Sequence, residues 1–258
     1  MIIFPDSMEV HHHPDLKHKK WKEYLAEFFM IFIAVTLGFF AESLRESISE
    51  SHIEKDYFKS FVEDLKSDTA TLGKIIPAES RGISGIDSLL LSLHQPSYSD
   101  SSIRWMYYLY RKYSMSFLPM VFNLRTYNQL KNSGGLRLIK DKAASDSIVS
   151  YNEAVDDIGT NINYITHDFM LPSIYQGNKV FDAKWLIPYD GDNVINLLKS
   201  HEQIDLLSRD KMGIAEYGNL IYLVKNIRSD YLEQLKYHKW RAAKMIAFFQ
   251  REFGIEQN

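Results

Sequence analysis

FFMIFIAVTLGFFA, residues 28–41, is bracketed by Glu27 and Glu42 and holds a single polar side chain, Thr36. Over 24–41 the apolar stretch is about 18 residues, or roughly 27 Å of helix, short but sufficient for a bilayer core. A core helix of a water-soluble domain keeps a polar face, and this stretch has none. The reading is therefore a single transmembrane helix over 23–43. A cleaved leader is disfavoured, because a cleavage site ending at Ala41 would set bulky Phe39 where a small residue is required.

The flanks give an orientation. Lys17, Lys19, Lys20 and Lys22 precede the span, whereas Glu42, Arg45, Glu46 and Glu50 follow it. By the positive-inside rule, residues 1–22 form a cytoplasmic His/Lys-rich tail and residues 44–258 an extracytoplasmic body. The expected location is a bacterial inner membrane with the bulk of the chain periplasmic. The balance of 30 basic against 33 acidic residues excludes the basic footprint of a nucleic-acid binder, and the absence of Cys leaves no disulfide framework to read. At 45% hydrophobic residues, the chain can bury a sizeable core.

Stepping about 100° per residue places Glu27, Ala34, Gly38, Ala41 and Arg45 on one stripe of the span, opposite Phe29, Phe32, Ile33, Thr36, Phe39 and Phe40. Small residues spaced as Ala34-x-x-x-Gly38 let helices approach closely, and a carboxylate near the inner boundary wants a partner. The stripe reads as an association face for a second copy or for another membrane protein. The competing reading has Glu27 snorkelling to the interface and the small residues incidental. In the tail, His11, His12, His13, Asp15 and His18 are a weak candidate for Zn, Cu or Ni. Neighbours on one short segment rarely close a tetrahedral site, so a solvated tail with Asp15 capping the membrane helix is favoured and no cofactor is expected.

MEVHHHPD, then KKWKEYLAEFFMIFIAVTLGFFAESLRE, FVEDLKSDTATL and NLRTYNQLKNSGGLRLIKDKAASDSIVSYN, resemble a family of uncharacterised single-span membrane proteins of Bacteroidota. The resemblance covers most of the chain. It implies one span and a helical body, and it lends no catalytic residue.

Beyond the span, Phe58, Val62, Leu65, Thr69, Leu72, Ile76, Glu79, Ile83, Ile86, Leu90 and Leu93 recur at alternating steps of four and three. Such a seam belongs to one long helix packed against others, kinked at Pro77 and ending before Pro96. Residues 101–113 and 123–133 read as shorter helices, the second stopped by Gly134 and Gly135. Ile148, Tyr151, Val155, Ile158, Ile162, Ile165 and Phe169 mark a second long helix, and residues 208–253 a third. The fold class is all-α: the membrane helix continues into an antiparallel helical bundle with long coiled-coil-like helices. Aromatic and basic residues near 240–253 suit either a helix end on lipid headgroups or the closed base of the core.

Sites of chemistry are not evident. Trp105, Tyr107, Tyr108, Tyr110 and Tyr113 read as core before ligand wall. PYDGDN, residues 188–193, supplies too few oxygen ligands for calcium and reads as a turn with Asp192 as a cap. Ser208-x-x-Lys211 matches a serine-lysine spacing, but the partner motifs are missing and a Ser opening a helix is ordinarily its cap. The expectation is a non-enzymatic interaction or scaffold protein in the lipid bilayer, forming homo-oligomers or binding a partner membrane protein. The alternative is a sensor or signal-transduction component acting through a partner.

Overall fold

A computed structural model describes residues 20–189 and 191–255. Among them every regular element is helical and none is a strand. Contacts divide the chain into two units, Met1–His52 and Ile53–Asn258. Helix α1, Trp21–Leu93, supplies the first and opens the second.

In the first unit α1 has no cover. Its 18-residue apolar window has a mean hydropathy of 2.0, and none of that window is buried. One long apolar N-terminal helix of this kind fits a membrane anchor.

The second unit adds α2 (Asp100–Leu109), α3 (Arg125–Ser133), α4 (Lys142–Tyr164), α5 (Leu171–Gly177) and α6 (Lys211–Phe253). Wide π-helical turns, Tyr110–Ser114 and Ile165–Met170, extend α2 and α4, and short 3-10 segments occupy much of residues 183–199. Helix starts follow side-chain chemistry. Ser99, Asp141 and Asp210 accept from the backbone N–H of Ser102, Ala144 and Gly213, the N-cap bond that satisfies an otherwise orphaned donor. Asp210 thus caps α6, and the expected cap Ser208 instead accepts from Asp210 N at 3.1 Å. The ends of α3 and α6 use Gly134 and Gly254 at φ 70° and 59°, the left-handed conformation that a Cβ penalises.

The seam on α1 holds at every seventh residue: Phe58, Leu65, Leu72, Glu79, Ile86 and Leu93 are all buried. Of the intervening positions, Val62 is buried as expected, and those beyond it differ by one residue from expectation. Phe61, Asp68, Ile75, Gly82 and Leu89 are buried, whereas Thr69, Ile76, Ile83 and Leu90 are half-buried. Apolarity favoured the wrong neighbours, because two of the true core positions hold Asp and Gly. The helix runs unbroken through Pro77, whose ring lies on the exposed side.

Helix α6 buries Ile214, Tyr217, Ile221, Val224, Arg228, Tyr231, Leu235, His238, Ala242, Met245 and Phe249, again at steps of three and four. Its partners on α1 run in reverse order: Lys225 pairs with Asp87 at 2.6 Å, Arg228 with Glu79 at 2.6 Å, and the Phe249 ring lies 4.9 Å from Phe58. Phe253 also packs on Phe58, 4.4 Å between centroids, so the aromatic end of α6 closes the core.

Gly85 shows how tightly the pieces meet. A Cβ there would collide with the Tyr113 ring, whereas one at Gly159 in α4 would meet nothing within 4 Å. Gly85→Ala should therefore destabilise by about 1–3 kcal/mol through overpacking, while Gly159→Ala should stabilise by about 0.5–1 kcal/mol through helix propensity. Urea unfolding of the two variants checks the opposite signs.

Candidate functional site

Charged and polar groups enter the core of the second unit at seam positions, which makes these layers its most distinctive chemistry. Glu79 and Arg228 are 2% and 3% exposed at their side chains. The guanidinium grips the carboxylate with two bonds, Nε to Oε1 at 2.6 Å and Nη2 to Oε2 at 2.9 Å. Its Nη1 donates to the carbonyls of Tyr113 and Ser116, both at 3.0 Å, and its Cζ lies 5.5 Å from the centre of the Phe117 ring. Gly82 lets the guanidinium lie against α1, since a Cβ there would strike Nη2. The pair ties α1, α6 and the chain leaving the first π turn together.

Further toward the start of α1, beyond the buried Ile75 and Leu72, Asp64 and Asp68 are both buried. Asp64 accepts from Asn123 Nδ2 at 2.8 Å, Arg125 Nη2 at 3.0 Å and Thr126 N at 2.9 Å. Leu124 precedes α3 and has no side chain with which to cap it, so Asp64 supplies the cap from another helix. Among the described residues, Asp68 accepts from Asn123 N at 2.9 Å and from no other donor. Burial pushes its carboxyl up to about 6, against the pull of that N–H and aided by the charge of Asp64. On α6, His238 packs against Tyr151 and Phe122, ring centroids 5.7 Å away in each case. Its Nδ1 and the Tyr151 hydroxyl are buried without a hydrogen-bond partner among the described residues. Burial, then the charge of Arg241, pushes the imidazole down to about 4.

The residues singled out from sequence fall elsewhere. His11, His12, His13, Asp15 and His18 lie outside the described residues, as does Asp190, while Asp192 has no described side chain. Ala34, Gly38 and Ala41 are exposed on α1 and Glu27 is half-buried. A Cβ on Gly38 would meet nothing within 4 Å, so a helix could approach there. Tyr107, Tyr108 and Tyr110 are buried, the core reading, while Trp105 is 40% exposed. Among the described residues no group of three or more His, Asp or Glu is placed to hold a metal ion.

Apolar spacing alone leaves Arg228 out of the α6 seam and gives His238 only as a structural or surface histidine, although a signal for both exists. Both continue the three-and-four stepping of α6, between Val224 and Tyr231 and between Leu235 and Ala242. A basic residue in phase on one helix and Glu79 in phase on another marks a buried pair.

No family model, curated protein or solved structure matches the chain.

Two outcomes follow from these layers. Arg228→Met leaves Glu79 buried and unpaired and should cost about 3–5 kcal/mol, whereas Glu79→Met combined with Arg228→Met should recover most of that loss. Chemical denaturation of the single and double variants measures it. His238 has a depressed folded pKa, so its contribution is present above pH 6.5 and is lost as pH falls through about 4, a change on the order of 3 kcal/mol. Asp68 acts in the opposite sense, favouring the folded state as pH drops below 6. His238→Leu should remove the acid-sensitive part alone, so its stability relative to the parent rises from pH 7 to 4.

Proposed function

We propose that this chain is a single-span membrane-anchored protein whose second unit is an extracytoplasmic, antiparallel helical bundle acting as a non-catalytic interaction or scaffold module. The observation that carries it is the uncovered apolar helix: Phe28, Leu37 and Phe39 are 60%, 60% and 74% exposed, which only a non-aqueous surrounding tolerates. The lysines before the span and the acids after it support the orientation. Reversed pairing between α1 and α6, with three-and-four spacing on both, supports the bundle. The resemblance to single-span Bacteroidota proteins agrees with the same topology. Within the bilayer, the stripe Glu27, Ala34, Gly38 and Ala41 is the proposed face for a second copy or a partner span.

A sensor component acting through a partner is the second reading. What favours it is the placement of Asp68 and His238 at core positions, where proton or partner binding can bias packing.

Alkaline phosphatase folds only outside the cytoplasm, so a fusion after Asn258 should be active. An inactive fusion, with an active cytoplasmic reporter at the same point, would reverse the orientation.

A further inference from the structure

Where α1 stops, the chain turns and meets the start of α6 around a cavity of about 560 Å³. That lies in the size range of small-molecule sites, about 300–1,000 Å³. Its apolar lining comes from Leu93, Pro96, Tyr98 and Ile214, and its charged lining from Arg209 and Lys211. The Tyr98 hydroxyl donates to the Leu93 carbonyl at 2.8 Å, which holds the phenol ring as a wall. His94, also on the lining, has its Nδ1 engaged with the Leu90 carbonyl at 2.7 Å, so its other ring nitrogen carries any further contact.

Charge decides the ligand class. Both charged lining residues are cationic, and no acidic residue among the described residues lines the cavity. Of the acids close to the lining in sequence, Asp210 caps α6 through Gly213 N at 2.8 Å, Glu216 accepts from Gln176 Nε2 at 2.8 Å, Asp100 opens α2, and Asp205 is held by Arg209 at 2.7 Å. Arg209 is thereby partly neutralised. Lys211 is exposed and forms no ion pair among the described residues, so it is the cation available to an anion.

We propose that this cavity binds a small organic anion with an apolar body, an aryl or branched-alkyl carboxylate. The body packs on Leu93, Tyr98 and Ile214, and the carboxylate meets Lys211, with Arg209 second. A sugar would leave the apolar wall unused, and a bare phosphate would gain nothing from it. The site stands apart from the anchor reading and does not rest on it.

The test uses the full chain in nanodiscs of zwitterionic lipid, titrated calorimetrically with 4-phenylbutyrate and with 4-phenylbutanol, empty nanodiscs being subtracted. The carboxylate should bind saturably at one site per chain, and the alcohol at least about tenfold more weakly. Lys211→Gln should weaken the carboxylate by about tenfold and leave the alcohol unchanged, and Ala215→Trp, which fills the cavity from an exposed lining position, should abolish both. Melting curves of both variants matching the parent show that the fold is kept. Absence of saturable carboxylate binding, equal binding of acid and alcohol, or parent-like binding by Ala215→Trp would each overturn the proposal.

Discussion

The Glu79–Arg228 pair governs the packing of the second unit. A carboxylate and a guanidinium withdrawn from water are tolerable only when each satisfies the other, and here two charge-assisted bonds and two backbone carbonyls do so. Apolar positions repeating every seven residues would let α1 and α6 slide by one heptad at small cost. Such a slip would set the guanidinium against Leu72 or Ile86 in place of Glu79, an uncompensated buried charge. The pair therefore fixes one register, and Gly82 supplies the space that this register needs.

Helix α1 meets two different surroundings along its length. Past residue 53 its side chains alternate between core and water, with ionic and small residues admitted to the core only where a partner exists. Over 28–41 there is no alternation, and side chains as large as Phe39 have no protein cover. Hydrogen bonds within the helix satisfy its backbone whatever the solvent, so the side chains alone decide which solvent is tolerable. The side chains of this stretch fit a membrane anchor. The second unit, by contrast, buries two apolar clusters, one around Tyr107 and Tyr217 and one around Phe58 and Phe249.

Much of this was legible from residues alone. Spacing located every long helix, Gly134 the end of α3, and Pro96 a stop for α1 that the helix reaches at Leu93, because these depend on neighbours in sequence. The misplaced half of the α1 seam shows where that logic stops. At 68 and 82 the core holds Asp and Gly, chosen for Asn123 and for Arg228, and neither partner is near in sequence. The same holds for the cap of α3, donated by Asp64 across the fold, and for the π turns, whose extra residue leaves no compositional mark. The cavity behind Leu93 joins residues more than a hundred positions apart, so no local pattern announces it. Conversely, the stripe through Ala34 and Gly38 was readable as a face but acquires a role only with a second helix beside it.

Amide hydrogen exchange of the full chain in lipid nanodiscs tests the central claim, that residues 28–41 reside in hydrocarbon, most directly. Amides of 28–41 should exchange far more slowly than those of 44–52, which belong to the same uncovered helix but lie beyond the apolar stretch. Transfer from nanodiscs to a lipid-free amphipathic polymer with a thinner apolar layer should shorten the protected segment from its ends. Equal exchange across 28–41 and 44–52 in nanodiscs would contradict the account.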